Sequence, residues 1–199
     1  MSTHESSPIA LSSEHCSVRF ERIDDRYAHR FELQLESRLL LLAADLESSH
    51  VDWPSDPPLQ SVVLETVSPQ GESAILGVGM SGHGHWSLAA QCIRDVKDSA
   101  NCFEFDYACK IHRAADFLGS TYRLGPVELT QVDFTDRDWV AKIRTDKDRP
   151  VGCIKLEVRK GRLDWDATRG RLQILPSEER SKPGTLRWCY RIAWVSCDE

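Results

Sequence analysis

The sequence is poor in the features that announce common functions. No apolar run approaches the ~20 residues a helix needs to span a bilayer. The longest, Leu39–Ala44, is strand-sized. The stretch from Met1 to Cys16 has neither the basic nor the apolar region of a secretory leader. None of the seven cysteines stands in a C-x-x-C pair, which excludes a zinc ribbon or a thioredoxin-type site. There is no Gly-x-Ser-x-Gly elbow, no His-Glu-x-x-His and no cysteine with an evident partner histidine. Cys109 and His112 are three apart, so on a strand they face opposite ways. Helical periodicity is scarce too. Only the Leu- and Ala-rich Leu35–Leu46 and the short Arg113–Leu118 could form helical turns, and neither carries a cap pair.

These absences point to a reducing cytoplasm in which the thiols stay free and pack as small hydrophobes. A formal net charge of −6 argues against nucleic acid or an anionic membrane as partner. The charge is uneven, with 10 Lys/Arg against 21 Asp/Glu in residues 1–136 and 15 against 10 in residues 137–199. A basic C-terminal third either offers an anion-binding face or pairs with acidic strands across a sheet.

What the sequence does contain is alternation with period two, the mark of a half-buried strand. In Cys102–His112, Phe103, Phe105, Tyr107, Cys109 and Ile111 oppose Glu104, Asp106, Ala108, Lys110 and His112. Leu186, Trp188, Tyr190, Ile192 and Trp194 share one face of the last segment. Phe31–Glu36 and Ile154–Arg159 alternate likewise. Less regular candidates are Leu39–Ala44, Leu59–Val67, Ala74–Met80, Trp86–Val96, Val127–Phe134, Val140–Arg144 and Arg171–Leu175. Turn residues separate them. The expectation is one all-β, mainly antiparallel domain over residues 16–199, a sandwich or flattened barrel of about ten strands with at most one or two short helices. Residues 1–15, polar and Ser-rich, read as a disordered tail. Glu47–Pro58, with Trp53, Pro54, Pro57 and Pro58, reads as a stiff loop with exposed backbone.

Candidate sites follow from residue type. Gly77–Ser87 holds four glycines with His83 and His85 on one strand face, next to Trp86. Two imidazoles are an incomplete metal site, so a third ligand must come from elsewhere, with His29, Asp106 and His112 as donors. The other reading of the glycines is a tight hairpin. Asp25 and His29 are either an acid–base pair or part of a solvated turn. Asp106 and His112 share the polar face of one strand.

Four segments resemble an uncharacterised bacterial protein family with no assigned function. They are Asp25-Arg26-Tyr27-Ala28-His29, Trp53-Pro54-Ser55-Asp56-Pro57-Pro58-Leu59-Gln60, Gly79-Met80-Ser81-Gly82-His83-Gly84-His85-Trp86-Ser87 and Leu118-Gly119-Ser120-Thr121-Tyr122-Arg123. The resemblance assigns no catalytic residue but marks these places as the first to inspect.

The favoured expectation is a non-catalytic module that binds a small molecule or a protein. Its binding residues would be His83, His85, Trp86, His29, Trp53, Asp106, Tyr122 and Arg123, gathered at one end of the sheets. No motif calls for a cofactor. The alternatives are a metal-assisted enzyme using His83 and His85 with His29 or Asp106, and a self-associating structural subunit.

Overall fold

A computed structural model describes residues 9–34, 38–47, 52–69, 71–94, 101–144 and 150–196. Its strands in chain order are β1 (Ile9–Ser12), β2 (Cys16–Ile23), β3 (Arg26–Gln34), β4 (Arg38–Ala44), β5 (Leu59–Thr66), β6 (Ser73–Ser81), β7 (Gly84–Arg94), β8 (Asn101–Ile111), β9 (Ser120–Leu124), β10 (Glu128–Phe134), β11 (Asp138–Arg144), β12 (Pro150–Lys160), β13 (Arg162–Asp166), β14 (Arg171–Leu175) and β15 (Gly184–Ser196). The all-β expectation holds, but with fifteen strands in place of about ten, and no helix occurs among the described residues.

All pairings are antiparallel, in the order β10-β11-β12-β15-β8-β7-β6-β5-β3-β4-β9-β14-β13, with β1 and β2 branching from β3. The sheet curls until it is nearly closed as a barrel. Its two halves meet through a single backbone pair, Tyr27 with Leu59. On the far side, Trp165 of β13 packs edge-on against Trp139 of β11, with ring centroids 5.6 Å apart. There the Leu163 N–H also donates to the Asp136 carbonyl at 2.7 Å.

Alternation explains why these residues make these strands. On β8, Phe103, Phe105, Tyr107, Cys109 and Ile111 are all buried. On β15, Leu186, Trp188, Tyr190, Ile192 and Trp194 are buried beside them. The two strands pair in register, Tyr107 opposite Trp188 and Phe105 opposite Tyr190. Their rings stack at 5.3 and 5.1 Å, an arrangement that adds to the burial of each ring.

Four expectations need correction. The tail read over residues 1–15 contributes β1, whose Leu11 is buried against the core. The possible helix over Leu35–Leu46 is strand β4 from Arg38 onward, while residues 35–37 lie outside the described residues. Its apolar run lacks alternation because a bulge opposite Phe31 and Glu32 inserts Leu41 between Leu40 and Leu42, so that Leu41 and Leu42 are both buried. Arg113–Leu118 forms bends with no helical turn. Of Glu47–Pro58, read as a loop with exposed backbone, Trp53–Pro58 is buried at every residue. This segment crosses the interior side of the β6–β7 hairpin, where Trp53 meets Trp86 at 5.9 Å.

The hairpin glycines make room for it. A Cβ on Gly79 would strike the Pro58 carbonyl, and one on Gly84 would strike the Trp86 ring. Gly79→Ala is therefore expected to destabilise the fold by roughly 1–3 kcal/mol. Gly184→Ala, where a Cβ meets nothing within 4 Å, is the control and should leave stability nearly unchanged. Urea midpoints at constant slope measure both, and equal midpoints would remove the close-packing argument.

Candidate functional site

Two polar assemblies stand out, one inside the barrel and one on its outer surface. The inner one is a line of hydrogen-bonding side chains among aromatic rings. The His29 Nε2 lies 2.6 Å from the Tyr122 hydroxyl, which lies 2.6 Å from that of Tyr190. The Asp56 Oδ2 is 3.9 Å from His29 Nδ1. The Trp188 indole N–H donates to the Ser120 Oγ at 2.9 Å. Phe20 stacks on the imidazole at 5.0 Å and Phe105 tilts against it at 5.4 Å. All of these residues are buried.

Burial sets the charge state of this line. It pushes the His29 imidazole down to about 3, so the ring is neutral. It pushes the Asp56 carboxyl well above its ordinary value, against the opposing pull of a hydrogen bond from the Thr121 backbone. The phenols of Tyr107, Tyr122 and Tyr190 are likewise pushed up by burial. Asp56 Oδ1 and the Tyr107 hydroxyl have no well-aligned hydrogen-bond partner, although Tyr190 and Ser120 lie close enough to bear on that phenol. The line has the order of a proton relay, but none of its groups meets solvent. It joins β3, β9, β15 and the Trp53–Pro58 segment.

The outer assembly is an open cleft of about 420 Å³ lined by Asp45, Glu47, Arg123, Arg169 and Arg171. Tyr122 points inward from β9, so its neighbour Arg123 points outward. Arg171 of β14 stands directly opposite Arg123 in the strand register. Like charges so placed repel. Asp45, just past the end of β4, compensates them. Its side chain is only 2% exposed and meets the Nε of both arginines at 3.0 Å. Asp45 itself is held in place: its N–H donates to the Thr121 carbonyl, its Oδ1 accepts the Glu47 N–H at 3.0 Å, and its carbonyl accepts from the Ser55 hydroxyl. The Arg171 contact is poorly aligned, leaving that Nε–H without a hydrogen-bond acceptor. The terminal nitrogens of Arg123 grip both oxygens of Glu47. That guanidinium holds the Glu47 carboxyl below its usual value.

The residues singled out from the sequence divide between these places. His29 and Tyr122 belong to the inner line, and Arg123 to the cleft. Trp53 and Trp86, expected among the binding residues, pack on each other inside, at 2% and 4% exposure. His83 and His85 are exposed at the β6–β7 turn. The His85 ring meets that of His112 edge-on at 5.5 Å, and His83 accepts the His112 N–H through its carbonyl. Neither His29 nor Asp106 joins them. His29 is inside the sheet, and exposed Asp106 pairs with Ala89, four residues along β7 from His85. Among the described residues, no group of three His, Cys, Asp or Glu side chains could hold a metal ion. Asp25 pairs with Arg26, its neighbour in sequence, at the surface, away from buried His29. Cys16, Cys92, Cys109 and Cys189 are free thiols, and Cys197 lies outside the described residues. Burial pushes Cys16 and Cys109 up to about 12 and Cys189 to about 11, which makes them poor nucleophiles.

Sequence reasoning missed Asp45, Glu47, Arg169 and Arg171, and also Asp56 and Tyr190 as members of a polar line. The one local signal was Arg169-Gly170-Arg171, a turn that sets two guanidiniums beside a strand start. Its pairing with Arg123, 48 positions earlier, has no sequence signature.

Together these features define an all-β antiparallel protein with a buried polar interior and an arginine-lined cleft on its outer face. No model of a known protein family matches the chain, and no curated protein matches it.

The inner pair makes stability depend on pH in two opposed ways. Asp56, raised when folded, contributes fully below its unfolded value of 3.8, and that contribution is lost as pH rises toward the folded value. His29, lowered when folded, contributes above 6.5, and that contribution is lost as pH falls toward about 3. Asp56→Asn should therefore gain stability over the wild type as pH rises above 4 while keeping the acid limb. Urea unfolding from pH 4 to 9 reads this, and parallel profiles for the two proteins would show that Asp56 is not a neutral buried acid.

Proposed function

We propose that this chain is a non-catalytic binding protein whose ligand is a small anion held in the arginine cleft. One observation carries this reading. Arg123 and Arg171 face each other across a strand pair, held there by a carboxylate at 2% exposure, and their outer ends, that of Arg123 paired with exposed Glu47, line about 420 Å³ together with Arg169. That volume lies within the ~300–1,000 Å³ usual for small-molecule sites. Guanidiniums fixed beforehand lose little freedom when an anion arrives. The inner line supports a scaffold role, because its groups are sealed from any ligand in the folded state.

Titration calorimetry with malonate at low salt tests the proposal. Saturable binding is expected, weakened roughly 10- to 100-fold by Arg171→Gln, the range for losing one charge-assisted hydrogen bond. Affinity should also fall as salt is added. Binding that ignores both Arg171→Gln and salt would place the anion elsewhere.

A second reading, self-association, is favoured by a separate observation. Val63, Leu76, Val78 and Met80 on the outer face of β5 and β6 are 39–56% exposed. Ser87 and Ala89 of β7 continue this face, which carries no charge at these six positions. Contiguous apolar patches on a surface mark interaction sites. A second copy presents the same uncharged face, so a two-fold contact there strips water from no ion. Sedimentation should then show a dimer that Val78→Lys dissociates, whereas a wild-type monomer at all concentrations would refute the reading.

A further inference from the structure

We infer that Glu47 is a built-in competitor for the cleft and that the anion it stands in for is a carboxylate, specifically a small dicarboxylate. This rests on the anion-binding reading above and deepens it.

The two acids of the cleft do different work. Asp45 is buried and touches the inner nitrogens, the Nε atoms, of Arg123 and Arg171. Removing it would leave two opposed guanidiniums without a counter-charge, so it is part of the scaffold. Glu47 is 78% exposed and takes the outward-facing end of Arg123. Both of its oxygens meet both terminal nitrogens, the paired geometry with which a guanidinium recognises a planar carboxylate. Glu47 thus displays, from the chain itself, the group this fork selects. A tetrahedral oxyanion can use the same nitrogens but gains nothing from the planar match.

Charge supplies the second half of the inference. With Glu47 in place, the lining carries three positive and two negative charges. With Glu47 swung into solvent, a dianion balances what remains. One carboxylate then takes the Arg123 fork. The other reaches the outer end of Arg171, whose inner Nε stays with Asp45, and Arg169, which is 73% exposed and whose Nε lies 3.7 Å from Asp166. Displacing Glu47 costs little, because exposed ion pairs are weak and readily screened. The residue therefore shields the arginines from singly charged ions while yielding to a ligand with two charges.

The test compares malonate, acetate and inorganic phosphate by calorimetry on the full chain, using wild type, Glu47→Gln, Glu47→Ala and Arg123→Lys. Both Glu47 variants should bind malonate about two- to fivefold more tightly, the worth of an exposed ion pair. Arg123→Lys keeps the charge but loses the fork, so it should weaken malonate at least tenfold and phosphate much less. Unchanged malonate affinity in both Glu47 variants would overturn the competitor and leave the anion cleft standing. Phosphate or acetate binding as tightly as malonate would overturn the dicarboxylate class, again without touching the cleft. Absence of anion binding in wild type and in the Glu47 variants would overturn the cleft reading itself.

Discussion

The hydrogen bond between the Tyr122 and Tyr190 hydroxyls is where the two halves of the sheet meet across the interior. Tyr122 belongs to β9, on the half that ends at β13, and Tyr190 belongs to β15, near the centre of the other half. Apart from the backbone pair at Tyr27 and Leu59 and the Leu163–Asp136 hydrogen bond on the far side, the halves are joined by side chains packed across the core. Phenols desolvated in an aromatic core must find partners or lose stability. That requirement sets the position of β9 along the barrel, and through it the position of His29 and of the Trp53–Pro58 segment, whose Asp56 sits beside the Thr121 backbone.

The same strand controls the outside. Successive residues of a strand face opposite ways, so an inward Tyr122 requires an outward Arg123. The register with β14 then sets Arg171 opposite, and the register with β4 delivers Asp45 to both. A shift of one residue in β9 would expose a tyrosine and take an arginine out of water, at the cost of desolvating its charge. The cleft geometry is thus a consequence of the core. Preorganised guanidiniums, which are the useful property for binding an anion, come from a hydrogen bond made on the opposite face of the sheet.

Much of the fold was readable in advance, and for a definite reason. β8 and β15 face the core on one side, and their odd–even alternation of Phe, Tyr, Trp and Ile against polar residues is strong enough to stand alone. β4 was ambiguous because a bulge at Leu41 breaks its alternation. β9, β13 and β1 are five residues or shorter, too short to show a period. Trp53–Pro58 misled because prolines mark exposed connectors in most chains, whereas here the packing of Trp53 on Trp86 draws the segment inward. Of the candidate site residues, Arg123, Tyr122 and His29 proved to be structurally placed with partners. The histidine pair of the glycine-rich turn stayed at the surface, because Gly84 and Trp86 take the inward positions of β7.

The sequence by itself determined the class: an all-β, antiparallel chain whose core faces are written as period-two alternation. That information is local, since each strand's inward face depends only on its own residues. Tertiary structure alone decided which polar residues meet. Asp45, Arg123 and Arg171 come from three separate strand ends, and Asp56, His29, Tyr122 and Tyr190 from four segments spread over most of the chain. Register between strands distant in sequence is set by packing across the whole core, and no local pattern of residues encodes it.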